Sequence, residues 1–275
     1  MVVRIMADDG KPVRARVMGA WLRKLTIEQW QAIDAEMLDR PLPERRVVWV
    51  LLAATACLIL PIYLGSPKFA SQNLQGWFEG LPDRQLGPRM FWALFKVVNY
   101  VALPCLCIRL LGDRIRDHGL GLHVGRRAWA LYGLLLVVVL PLVVLVADAP
   151  AFLARYPRYA HAGDTWGRLL MWEAAYGFQF AALEFFFRGF LLFALARSLG
   201  SAAIFVSVVP YTMIHFGKAL PETLGSVIAG IVLGTLALRT RSIYGGVLLH
   251  CAVAWTMDGL ALAHRGDLAR LLGGG

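Results

Sequence analysis

Seven stretches of the chain are apolar over lengths that reach or approach what a helix needs to cross bilayer hydrocarbon, about 20 residues. They cover residues 47–65, 90–110, 128–147, 166–187, 201–216, 222–238 and 242–262. The fourth stays helical in character to about residue 198, and the fifth and sixth are short, as suits helices packed inside a bundle. Gly225, Gly230 and Gly234 give the sixth a face of small side chains for close helix approach. The pattern predicts an all-α fold, a polytopic transmembrane helix bundle of about seven spans.

Residues 1–45 read differently, with mixed charge and one helical feature. Thr26 and Gln29 have the spacing of a capping box, and Trp30, Ile33 and Met37 follow at helical intervals. This predicts an N-terminal amphipathic helix at the membrane surface, with Pro41, Pro43 and the Arg45-Arg46 pair marking entry into the first span. The first span follows a long polar stretch and lacks a small-residue cleavage site, so it is expected to remain as an anchor.

Composition agrees with a lipid-facing surface: 58% of the 275 residues are hydrophobic and 17% are charged, and the mean hydropathy is +0.59. That is too apolar for a soluble domain. A net charge of +10 could indicate nucleic acid, but the basic residues fall between apolar runs, where a positive-inside bias accounts for them. With the N-terminus inside, 17 Lys and Arg lie in inside segments and nine in outside ones. The expected partners are therefore the lipid bilayer and no nucleic acid, with the N-terminus cytoplasmic. Cys57, Cys105, Cys107 and Cys251 all lie in apolar runs, and no disulfide framework or CxxC pattern is present.

A charged side chain at mid-membrane costs about 2.5–3.5 kcal/mol on insertion scales, so each one needs a partner or a purpose. Glu184 and Arg188 stand four apart in AALEFFFRGFLL, His215 in VVPYTMIHFGK, and His250 in GGVLLHCAVAWTMD. Asp258 and Glu173 are weaker candidates. At ~1.5 Å per residue, Glu184 and His215 lie at one depth, about 20 Å from the inner helix ends, whereas His250 comes out shallower, at roughly 12 Å. A carboxylate in a low-dielectric pocket can take a proton from water, and imidazoles can hold that water or stabilise an oxyanion.

That equipment fits a hydrolase, and other readings stay open. No cofactor is expected, although Glu184, His215 and His250 could equally bind a divalent metal. No HExxH motif is present, and GxSxG and GxGD-type motifs are absent. The cluster could also be structural, with Glu184 and Arg188 as a buried pair. A proton-coupled carrier is a third reading, but here the ionisable residues crowd into the second half instead of recurring in matched halves.

Over roughly residues 166–262 the motifs resemble the CPBP intramembrane proteases, which include the type II CAAX prenyl endopeptidases and bacteriocin-processing or immunity proteins. The family pattern is EExxxR, then FxxxH, then HxxxN or HxxxD, on successive membrane helices. Glu184, Arg188 and Gly189 match the first motif, Tyr211 to His215 the second with Tyr for Phe, and His250 the third. Leu183 stands in place of the first glutamate and Ala254 in place of the Asn or Asp. The EFFFRG form, and HFGK followed by Pro221-Glu222, look similar to the myxosortase-like branch, with Glu222 as an added polar group near His215.

The resemblance implies an intramembrane endopeptidase of the glutamic type acting on a membrane-anchored protein, near a helix end or C-terminal sorting signal. Glu184 would activate water, Arg188 would fix the glutamate, and His215 and His250 would orient the water and stabilise the oxyanion. A non-proteolytic scaffold or immunity protein of the same family is the alternative. The implied organisation is a segment 1–45, accessory transmembrane helices 46–160 and a catalytic transmembrane core 161–275. The implied location is a bacterial inner (cytoplasmic) membrane.

Overall fold

The computed structural model describes residues 13–38, 44–81 and 83–273. The first twelve residues and Pro41 and Pro43, assigned to the N-terminal segment and the entry into the first span, lie outside them. The longer helices are α1 (Val13–Leu25), α2 (Ile27–Met37), α3 (Glu44–Tyr63), α4 (Leu86–Leu110), α5 (Arg126–Val146), α6 (Trp166–Leu199), α7 (Ala202–Met213), α8 (Leu220–Thr240) and α9 (Tyr244–His264). The described residues form no strand, only one isolated bridge between Leu120 and Ser242. The chain is an all-α polytopic bundle.

Six of these helices, α3 to α6, α8 and α9, are long and apolar enough to cross a membrane. The run expected as a fifth span is shorter than its apolar length: α7 has 12 residues, about 18 Å at the α-helical rise. It ends because the chain turns at His215 to Lys218, with Gly217 at φ +79. Among the described residues the architecture is thus six helices long and apolar enough to cross, with one half-length helix packed against α8 and the end of α6.

The organising element is α6. Its apolar window is 83% buried, against 11 to 39% for the other five spans. Between two α-helical stretches, Phe185–Leu192 forms a π-helix, and every one of its eight residues is buried. Helices α3, α4, α7 and α8 pack around it. Phe186, its second residue, is fully buried and stacked on Tyr100 of α4 with centroids 4.9 Å apart. A π-turn is uncommon and recurs at functional sites; here it follows directly after Glu184.

The N-terminal helices pack against one end of the bundle. Ile33 of α2 is 1% exposed, and the Trp30 indole donates to Thr235 Oγ1 of α8 (3.2 Å) and meets Phe205 of α7 edge-on. Asp34 caps α7 from a distance in sequence, accepting from the Ser201 amide (2.6 Å) and hydroxyl (3.2 Å). Gly200, at φ +55, makes room, since a Cβ there would meet Asp34 Oδ1 and Leu38. The expected capping box at Thr26 and Gln29 does not form. The chain is already helical through α1, so the Thr26 hydroxyl donates back to the Leu22 carbonyl (2.7 Å) and Gln29 donates to the Lys24 carbonyl (3.0 Å).

The loop from residue 111 to 125 closes the same end. His118 Nδ1 donates to the Gly189 carbonyl (3.0 Å), the Ile243 amide to Gly119 (2.8 Å), and the Gly121 amide to Arg241 (2.9 Å). Asp113 accepts from Arg46 of α3 and Arg197 of α6, and lies 3.2 Å from His118 Nε2. Beneath this cover Ser242 is fully buried and Ile243 is 4% exposed. Helix α9 therefore follows directly on a buried turn, with Gly245 and Gly246 of its first turn buried as well.

Candidate active site

Depth along straight α-helices puts His250 well short of Glu184, yet the two side chains touch. Two features of the fold remove the discrepancy. The buried start of α9 lifts His250 toward the centre, and the π-turns after Glu184 fit more residues into each turn, which brings Glu184 closer to the covered end. His250 Nδ1 comes within 2.8 Å of Glu184 Oε1, a close polar contact set off the line of an ideal hydrogen bond. On the other side Arg188 Nη1 donates to the same oxygen at 2.9 Å, the i,i+4 contact expected from spacing.

Glu184 is completely buried and Arg188 is 3% exposed. The second carboxylate oxygen, Oε2, is buried with no hydrogen-bond partner. It faces the backbone of Gly246 on α9, where an added Cβ would lie 2.5 Å from Oε2 and 3.1 Å from the carboxyl carbon. The carboxylate is pinned by Arg188 and His250 and has little room to withdraw. Gly246→Ala is therefore expected to cost about 1–3 kcal/mol of stability by overpacking, read as a fall in the unfolding temperature of the purified protein. An unchanged unfolding temperature would place Glu184 elsewhere.

Tyr211 joins the remaining parts. Its hydroxyl lies 3.0 Å from His250 Nε2. Since His250 Nδ1 faces a carboxylate, the proton belongs on Nδ1, which leaves Nε2 to accept from the Tyr211 hydroxyl. The Arg188 guanidinium lies over the Tyr211 ring, 4.0 Å from its centroid. Phe180, one turn before Glu184, stacks on His250 with the planes 9° apart.

His215 belongs to the same neighbourhood by a different route. Its Nδ1 donates to the Tyr211 carbonyl (2.8 Å), and its ring meets the Tyr211 ring edge-on at 4.9 Å. In the neutral ring Nε2 is then the acceptor. Among the described residues His215 makes no hydrogen bond to Glu184 or His250; Tyr211 stands between them. Thr223 of α8 steadies its backbone by donating to the His215 carbonyl (3.1 Å).

The structure brings Glu184, Arg188 and His250 into direct contact and sets His215 one aromatic ring away. Glu222 does not join His215: its carboxylate pairs with Lys218, one turn before it. Leu183 packs into the main apolar core, and Ala254 sits with Trp172 and Tyr176. Asp258 accepts from the Trp172 indole (2.9 Å) in that aromatic layer, apart from the Glu184 cluster. Among the described residues no three His, Cys, Asp or Glu side chains are grouped to hold a metal.

Sequence reasoning named Tyr211 only as a motif position and missed its contacts with His250 and Arg188. The signal was present: Tyr211 lies one turn before His215, so the pair share a helix face. Gly246, four before His250, was missed for want of any polar atom. Beside Arg188 and Tyr211, a cavity of about 10 Å³ also takes in Ser207. Ser207 Oγ and Arg188 Nη2 are both buried without a hydrogen-bond partner there, and the volume is that of about one water molecule.

Comparison with known families gives one finding. Residues 165–256 match the family model Type II CAAX prenyl endopeptidase Rce1-like, a span that contains Glu184, Arg188, His215 and His250. Neither the curated proteins nor the solved structures give a match.

Proposed function

From the Rce1-like domain at residues 165–256, we propose that this integral membrane protein is an intramembrane endopeptidase in which Glu184 activates the hydrolytic water. The observation that carries the reading is the state of Glu184: one oxygen held by Arg188 and His250, the other buried and bare of donors. With no donor on it, that oxygen has its lone pairs open to a proton from water that enters with the substrate.

The chemistry balances with these groups alone. Water gives a proton to Glu184 Oε2 as its oxygen bonds to the scissile carbonyl carbon, forming a tetrahedral oxyanion. The Tyr211 hydroxyl turns from His250 Nε2 to donate to that oxyanion, and His215 Nε2, an acceptor, orients the water. When the C–N bond breaks, Glu184 returns the proton to the leaving amine, and an acid and an amine depart. Arg188 keeps Glu184 anchored throughout. The substrate is a membrane-anchored protein cut near the end of a helix or at a C-terminal sorting signal.

The test is reconstitution in liposomes with tail-anchored candidate substrates. His215→Ala and His250→Ala are each expected to lower the cleavage rate by about 10²-fold or more. Cleavage at the wild-type rate by both variants would end the proposal. A second reading, a scaffold of the same family without hydrolysis, is favoured by the full burial of Glu184 and by Leu183 and Ala254 at the two motif departures. Under it the wild-type protein yields no product from any tail, and His250→Ala lowers stability alone.

A further inference from the structure

Four arginines converge on one pocket at the opposite end of the bundle from the 111–125 loop. Arg89 comes from the first turn of α4, Arg155 and Arg158 from the segment after the short helix Pro150–Leu153, and Arg265 from the cap of α9. The cavity measures about 480 Å³, and its other walls are alanines and a proline. No carboxylate lines it, and among the described residues none of the four arginines has an acidic partner. The buried Asp258 offsets part of the charge of Arg158 and Arg265, but four like charges still outnumber it and repel one another, so the arrangement gains from an anion that enters.

The donors are partly committed, which fixes their positions. Arg155 donates from Nη1 to the Gly217 carbonyl (2.8 Å), while its Nε is buried without a partner. Arg265 donates from Nη2 to the Tyr156 carbonyl (3.1 Å). Guanidinium forks held this way match the several acceptor oxygens of a phosphate group. The volume far exceeds one inorganic ion, since a water molecule occupies about 30 Å³ of liquid.

Depth selects the source of that phosphate. Helix α4 begins and α9 ends here, and Trp77 and Trp166 stand exposed at the same end, at 77% and 47%. Aromatic residues of this kind sit at the headgroup level. A phospholipid phosphate already tethered at that level meets the pocket at high effective concentration, which a free phosphate in water does not. We infer that this four-arginine pocket binds the phosphate headgroup of an anionic phospholipid. The inference is independent of the hydrolytic site, although Arg155 ties the pocket wall to Gly217, two residues past His215.

Native mass spectrometry of the full-length protein, released from detergent in the presence of phosphatidylglycerol or phosphatidylcholine, tests it. Preferential retention of phosphatidylglycerol is expected. The Arg89→Gln/Arg158→Gln double variant should weaken retention about tenfold or more, since each substitution removes charge-assisted hydrogen bonds to the phosphate. Arg84→Gln, an exposed position outside the pocket, should leave retention unchanged. Equal retention of both lipids by the wild-type protein overturns the inference without any variant. So does inorganic phosphate that displaces phosphatidylglycerol at millimolar concentration and raises the unfolding temperature equally, because the occupant is then a soluble anion.

Discussion

Replacing Glu184 with Gln is expected to lower the rate of substrate cleavage by roughly 10²–10⁴-fold, the range that a positioned acid or base supplies. The variant is chosen because it changes the proton chemistry with little change of shape. A glutamine carbonyl can still accept from Arg188 Nη1, which now sits 2.9 Å from Glu184 Oε1, but an amide takes no proton from water at neutral pH. Product formation in liposomes and thermal unfolding should therefore separate, with activity lost and most of the stability kept. Glu184→Leu gives the contrast. It leaves Arg188 buried with no counter-charge and should cost about 3–5 kcal/mol, as breaking a buried pair does. Wild-type activity in Glu184→Gln would remove Glu184 from the chemistry.

The second large effect lies away from that site. Asp113→Ala is expected to destabilise the protein by about 3–5 kcal/mol, because it strands Arg46, whose side chain is 8% exposed, without its carboxylate. Asp113 ties three elements together, α3 through Arg46, α6 through Arg197 and its own loop through His118. Burial by itself would raise the carboxyl pKa, but hydrogen bonds and charge from Arg46 and Arg197 outweigh it and hold the value below the usual carboxylate range. A depressed folded-state pKa gives stability that is complete above the unfolded value, about 3.9. That stability is lost as pH falls through the lower folded value. The gap in unfolding temperature between Asp113→Asn and wild type should thus be full at pH 7 and shrink only below about pH 4. A gap that closes between pH 5 and 7 would point to His118 as the controlling group.

The helices were legible in the sequence because crossing a membrane requires long apolar runs, and little else in a chain produces them. Helix α4 was expected from residue 90 and begins at Leu86; α9 was expected from residue 242 and begins at Tyr244. The Glu184–Arg188 contact was legible too, since four residues of helix fix it. What the residues could not reveal depends on contacts distant in the chain. The buried start of α9 arises from a loop more than 100 residues earlier, and the cap on α7 comes from Asp34. Thr26 misled for the same reason in miniature: its capping pattern is local, and the helix running into it was not counted. The arginine pocket was invisible because its members, read singly, are ordinary loop and helix-end charges.

The wide turns at Phe185–Leu192 have a consequence for anyone who maps positions onto this protein. A helical-wheel projection assumes one constant angular step, and eight residues of π-helix break that assumption midway through the longest helix. The angular lag that builds up means that residues before Glu184 and after Leu192 cannot share one wheel. Faces assigned to the two halves must be drawn separately, or substitutions aimed at one side of the helix will land on another.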